Sequence, residues 1–85
     1  MSRALQIYHR DFDADFLGLS PEVRRRIEER IDEMGADLRA FPHYRMTGTA
    51  DYRVRVGDYR VIYDFDARQN HLHLLSVGHR REIYR

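Results

Sequence analysis

The chain has no cysteine, which removes disulfides, a thiol nucleophile and any cysteine-based zinc site from consideration. Lysine is missing as well. All 15 basic residues are arginine, a usage that fits genomic compositional bias first, but that also makes every cation a permanently charged, bidentate fork. No stretch approaches the roughly 18 consecutive apolar residues of a membrane helix, and the opening Met-Ser-Arg-Ala-Leu-Gln-Ile holds no long apolar run. A soluble, cytoplasmic protein with no membrane partner is expected. Charged residues make up 34% of the chain, yet the formal net charge is only +1; a disordered polycation is excluded and bulk charge says little about partners. Histidine offers little for a metal: His71 and His73 share a strand face, but no third ligand is evident, and no metal or cofactor is expected.

With 85 residues, residues 1–85 make one domain, in which roughly 60 to 65% of the unfolded surface can be buried and two layers around one core are the realistic limit. The charge is unevenly spread. Residues 1–50 hold 8 Arg against 9 acids, whereas residues 51–85 hold 7 Arg against 5 acids and three of the five His.

The most patterned stretch is Tyr52-Arg-Val-Arg-Val-Gly-Asp-Tyr-Arg-Val-Ile-Tyr-Asp-Phe65. Apolar and polar residues alternate around Gly57-Asp58, and Gly-Asp suits a two-residue type II′ hairpin loop. Such a loop pairs Val56 with Tyr59, Arg55 with Arg60, Val54 with Val61 and Arg53 with Ile62. One face then carries Tyr52, Val54, Val56, Tyr59, Val61, Tyr63 and Phe65, a core surface. The other carries Arg53, Arg55, Arg60, Ile62 and Asp64. Arg55 opposite Arg60 opposes folding, since like charges facing each other across strands repel. An anion such as phosphate seated between two guanidinium groups would convert that repulsion into binding; a solvated outer face with splayed side chains is the other arrangement the pattern allows.

Elsewhere, Ala4–His9 alternates as a first strand with Leu5 and Ile7 on one side. Asp11 or Asp13 is expected to cap a short helix with Phe12, Phe16 and Leu19 as its inward stripe. Ser20-Pro21-Glu22 marks the start of a second helix, whose stripe is Val23, Ile27, Ile31, Met34 and Leu38. Its arginines and acids are expected to form a solvated face. Residues 39–51, with Pro42 and Gly48, read as a loop, and His71–Val77 as a last strand with Leu72 and Leu74 toward the core, ended by Gly78. The order is β-α-α-β-β-β: an α+β fold, an antiparallel sheet with two helices packed on one face. The tail Val77-Gly-His-Arg-Arg-Glu-Ile-Tyr-Arg85 gathers His79, Arg80 and Arg81 beside Tyr84, a combination able to hold a phosphate and stack a splayed base. The same residues also fit a frayed basic terminus with Tyr84 folded back into the core.

Tyr52-Arg-Val-Arg-Val-Gly-Asp-Tyr-Arg-Val-Ile-Tyr63 and Val77-Gly-His-Arg-Arg-Glu-Ile-Tyr84, with Leu19-Ser-Pro-Glu-Val-Arg and Phe41-Pro-His-Tyr-Arg, resemble the RelE/ParE toxin superfamily of toxin-antitoxin systems. The likeness covers nearly the whole chain and is strongest to the RelE-like, ribosome-dependent mRNA endonucleases. It implies a cognate antitoxin wrapping the toxin, action on translated mRNA at the ribosome, and contact with operator DNA only through the antitoxin. The implied chemistry is attack of a ribose 2′-hydroxyl on the adjacent phosphate. By resemblance, Arg60 stabilises phosphoryl charge, Arg80 in preference to Arg81 serves the leaving oxygen, Arg55 joins them in phosphate contact, and Tyr84 stacks on a base. Arg53, Arg81 and His79 would bind RNA.

Relatives have lysines on the first hairpin strand, one proposed as general base, where this chain has Arg53 and Arg55. A guanidinium of pKa above about 12.5 is a poor base at neutral pH. His79, with a reference value of about 6.5, is chemically better suited, and the base assignment stays open. Two other outcomes accord with the resemblance: a ParE-like toxin that inhibits DNA gyrase without cutting RNA, and an inactive toxin serving with its antitoxin in DNA-binding autoregulation.

Overall fold

A computed structural model describes residues 2–79. Strand β1 (Leu5–Tyr8) leads into helices α1 (Arg10–Leu17) and α2 (Pro21–Ala36), followed by β2 (Tyr44–Arg45), β3 (Tyr52–Val56), β4 (Tyr59–Asp66) and β5 (His71–His79). The strands form one sheet in the order β1-β5-β4-β3-β2. The α+β order is the expected one, with two additions. β1 pairs with β5 in parallel, Leu5 to His71 through Tyr8 to Leu74, so the sheet is mixed rather than wholly antiparallel. The reason is connectivity: the helical pair intervenes between β1 and the rest, and a chain that crosses over through helices can return to its sheet in the parallel sense. The second addition is β2, two residues inside the expected loop, too short to show any alternation.

α2 begins where the sequence places it. Ser20 Oγ accepts the Val23 N–H at 3.3 Å and Pro21 occupies the first turn, where it forfeits no intrahelical bond. Ile27, Ile31 and Met34 are fully buried, and Leu38, beyond the helix end, still reaches the core. Arg25–Glu29 and Arg30–Glu33 pairs lie on the solvent side, where such pairs contribute little. α1 differs from expectation at its start. Its N-cap is His9, with no side-chain cap, and Asp11 and Asp13 both fall inside the first turn. There they complement the positive end of the helix dipole instead of capping the helix. Phe12 is fully buried and stacks on Phe16 at 5.2 Å.

The β3–β4 hairpin has the expected register, Val56 to Tyr59, Arg55 to Arg60, Val54 to Val61 and Arg53 to Ile62. Gly57 has φ of +61°, a conformation that disfavours L-residues by about 1–2 kcal/mol. β4 pairs with β5 on its other side, and the register shifts between Ile62 and Tyr63: Tyr63 faces Leu74 while Ile62 faces Ser76. Leu75 is thus the extra residue of a bulge. The strand does not end at Gly78; it runs on to His79. Because of the bulge, Leu72, Leu74 and Val77 all reach the core, each at most 1% exposed. On β1 the helix-facing side carries Gln6, whose Nε2 donates to Asp32 Oδ1 at 2.8 Å, and Tyr8, packed on Phe12. Leu5 and Ile7 therefore take the outer face, Leu5 being largely exposed.

One polar device ties the loop after α2 to the sheet. His43 Nε2 lies 2.6 Å from the Leu38 carbonyl, which can only accept, so this nitrogen carries the proton. Nδ1 then accepts from the Tyr63 hydroxyl at 2.7 Å. The His43 ring stacks on Phe65 with centroids 3.9 Å apart. Burial, reinforced by the neighbouring Tyr52, pushes the Tyr63 hydroxyl well above its ordinary pKa. The folded state thus keeps this proton to higher pH than the unfolded chain, and the associated stability is full below about pH 10 and lost as pH rises beyond it. In thermal melts, Tyr63→Phe is expected to cost about 1–3 kcal/mol at neutral pH, because His43 Nδ1 loses its donor. The variant should also lose less stability than the parent between pH 9 and 11, a range given as roughly the flanks of tyrosine's reference value; an equal alkaline loss in both would refute the assignment.

Candidate functional site

Cross-strand partners share a sheet face, so the register defines what the open side presents. Arg55 on β3, Arg60 on β4 and Gly78 on β5 form one row. Tyr44, Arg53, Ile62 and Ser76 form the next. The expectation of an open face is only partly met. Arg55 is exposed, Arg53 is half-buried, and Arg60 and Ile62 are buried at 7% exposure each. Arg60 lies on the strand that is paired on both sides, and its β5 neighbour is Gly78, itself buried. The central strand thus holds one guanidinium in a fixed, poorly hydrated position, while the edgeward strand offers another to solvent. A charge in such a place interacts more strongly than one in water.

His79 is not part of this row. It pairs with Tyr59, whose side is the helix side, and the two rings meet edge to face at 5.5 Å. The bulge at Leu75 is the cause, since it reverses which residues of the strand's end face outward. Arg80, Arg81 and Tyr84 lie outside the described residues. Among the described residues, no group of three or more His, Cys, Asp or Glu is placed to hold a metal ion. His73 Nδ1 lies 3.2 Å from His9 Nε2, while the His73 ring stands 6.3 Å from that of His71. Among the described residues, then, the outer face offers fixed positive charge suited to a phosphate and no acid–base dyad beside it.

Two contributors escape the sequence reading. His43 has a partner 20 positions away in a stretch without periodicity. Tyr44 sits in what reads as loop, yet pairing with Arg53 puts its ring on the arginine face, 65% exposed.

The family model "ParE toxin of type II toxin-antitoxin system, parDE" matches residues 7–84. The chain belongs to this toxin family, within the RelE/ParE superfamily. Among solved structures, the toxin is similar to the archaeal RelE–RelB complex of Pyrococcus horikoshii OT3, at 25% identity, TM-score 0.75, covering 93% of this chain and 97% of that one. It is also similar to the RelBE2 toxin-antitoxin complex of Mycobacterium tuberculosis, at 18% identity, TM-score 0.77 and 93% of both chains. The isolated RelE toxin of E. coli matches at 16% identity and TM-score 0.75, over 89% of this chain and 83% of that one. At such identities the E. coli and M. tuberculosis likenesses show the fold. No curated protein sequence matches the chain. Among the described residues, no helix is long and apolar enough to cross a membrane.

The row geometry makes a thermodynamic demand that a purely structural arginine pair would not meet. Arg55→Ala is expected to raise the stability of the free toxin by up to about 1 kcal/mol, since it removes a like-charge neighbour from Arg60. Added salt should raise the melting temperature of the parent more than that of the variant, because screening relieves the same repulsion. Destabilisation by Arg55→Ala at low salt would show that the pair supports the fold instead.

Proposed function

We propose that this toxin is a ribosome-dependent endoribonuclease that cleaves translated mRNA by attack of a 2′-hydroxyl on the adjacent phosphate. The observation that carries the reading is the row formed by exposed Arg55 and buried Arg60 on the outer face. Three tasks arise in the reaction: removing the 2′-hydroxyl proton, stabilising the phosphoryl oxygens and protonating the leaving 5′-oxygen. Arg60 takes the second, its charge fixed in place before substrate arrives. Arg55 and Arg53 contact flanking phosphates. Arg80 serves the leaving oxygen, Arg81 adds RNA contact and Tyr84 stacks on a base, as the superfamily resemblance suggests. His79, on the helix side of the sheet, is not placed to act as base for a phosphate held by Arg55 and Arg60. With no dyad on this face among the described residues, positioning of the RNA by the ribosome supplies much of the rate.

The partner is a cognate antitoxin, a reading supported by relatives of the same fold solved as RelE–RelB and RelBE2 complexes. An extended acidic segment would neutralise the arginine face, and operator DNA is reached only through it. The matching family is named for ParE toxins, the branch to which the superfamily resemblance attaches a second reading, inhibition of DNA gyrase without RNA cleavage.

Primer extension on translated mRNA decides between them. Because Arg60 is buried, Arg60→Gln is preferable to alanine; it should lower cleavage by an order of magnitude or more, in line with the roughly 2.7–4 kcal/mol that a lost oxyanion donor costs, while circular dichroism shows a retained fold. Undiminished cleavage by folded Arg60→Gln, or cuts made without ribosomes, would contradict the mechanism. Gyrase-linked DNA breaks with intact mRNA would establish the second reading.

A further inference from the structure

A groove of about 320 Å³ opens at the edge of β3, lined among others by Arg30, Phe41, Tyr44, Arg53 and Arg55. It exists because the chain leaves the strand edge there. β2 pairs only with Tyr52 and Arg53. Just before it, His43 is drawn down to Leu38 and Tyr63, and Pro42 has no N–H with which to extend a ladder. Val54 and Arg55 consequently face a gap instead of a paired strand. The gap's volume falls at the lower end of ligand sites, roughly 300–1,000 Å³.

The chemistry around the groove is specific. Tyr44 offers a ring that is 65% exposed on the same face as Arg53. Phe41 also lines the groove, with the Arg30 guanidinium 4.8 Å from its ring centroid. Arg30 is itself tied to Glu33 at 2.6 Å, so it lines the groove as a held, flat surface, and Arg53 and Arg55 bring two further guanidinium groups to the lining. Among the described residues, no carboxylate lines the groove. An exposed ring next to two guanidinium groups is the arrangement that stacks an unpaired base and holds its phosphates, and Arg55 links the groove directly to the Arg55–Arg60 row.

We propose that this groove is a nucleotide subsite adjoining the reacting phosphate: the base of the neighbouring nucleotide of single-stranded RNA stacks on Tyr44, and its phosphate is held by Arg53 and Arg55. The inference rests on the RNA-cleavage reading for its biological role, but the binding event does not require cleavage. With a base seated there, Tyr44 would bias which sequences are cut.

The test uses the full chain and a 2′-O-methyl RNA hexamer, which cannot undergo 2′-hydroxyl attack, carrying one 2-aminopurine. Stacking should quench the fluorophore on binding. Tyr44→Leu should weaken binding about tenfold, and Tyr44→Phe, which keeps the ring, should restore it; the side chain is exposed, so all three proteins fold alike. Equal affinities for parent and Tyr44→Leu, or a Tyr44→Phe no better than Tyr44→Leu, would overturn the subsite. So would a hexamer that fails to bind while an acidic peptide fills the groove, which would assign it to a protein partner. The two readings separate cleanly. Ring-dependent hexamer binding without mRNA cleavage upholds the subsite and sinks the endonuclease, whereas cleavage whose rate and sequence profile ignore Tyr44 does the reverse.

Discussion

The two-residue turn at Gly57-Asp58 is the constraint on which the remainder depends. Its left-handed glycine closes the hairpin without offset, and side chains alternate strictly from there, so a slip of one residue would exchange the faces. Val54, Val61 and Tyr63 would leave the core, and Arg53 and Arg55 would enter it, at a heavy desolvation cost. Correct burial and the Arg55–Arg60 row are therefore one outcome of one turn. The same turn rests against α2, where Arg26 Nη2 would stand 3.1 Å from a methyl group placed on Gly57; the hairpin tip is positioned by the helix layer as well as by its own backbone.

The bulge at Leu75 is the second determinant, and it acts on both faces at once. A regular β5 continuing from Leu72 and Leu74 would have sent Ser76 and Gly78 inward and Val77 outward. With one residue added, Val77 completes the core and Gly78 comes to lie beside Arg60 on the outer face. Packing and site geometry thus share a cause. The buried apolar surface of Val77, worth on the order of 1.5–3 kcal/mol, helps hold the irregularity that sets Gly78 beside the central arginine.

How far this was legible in the sequence follows from the range of each signal. The hairpin and the start of α2 are local: a Gly-Asp loop, a Ser-Pro helix start and a stripe at helical spacing all act within a few residues. The mixed sheet is not local, since nothing in Leu5–Tyr8 records that its partner is His71–Leu74. The bulge left a trace in the break of parity between Leu74 and Val77, masked by Leu75 being apolar itself. Burial of Arg60 depends on β4 being flanked on both sides, and the His43 clamp depends on Leu38 and Tyr63, so neither could be read from its own neighbourhood. Tyr44 was hidden because two residues are too few to alternate.

Under the proposed function, anionic recognition resides on the outer sheet face and not on the arginine-rich helix. A proton–nitrogen NMR titration of the full chain with a non-cleavable single-stranded RNA, following backbone amides and arginine Nε–H groups, tests it most directly. Perturbations should concentrate at Arg53, Arg55, Arg60, Ile62 and Gly78 and spare Arg24, Arg25 and Arg26. Shifts centred on those three α2 arginines, with the sheet face unmoved, would contradict it.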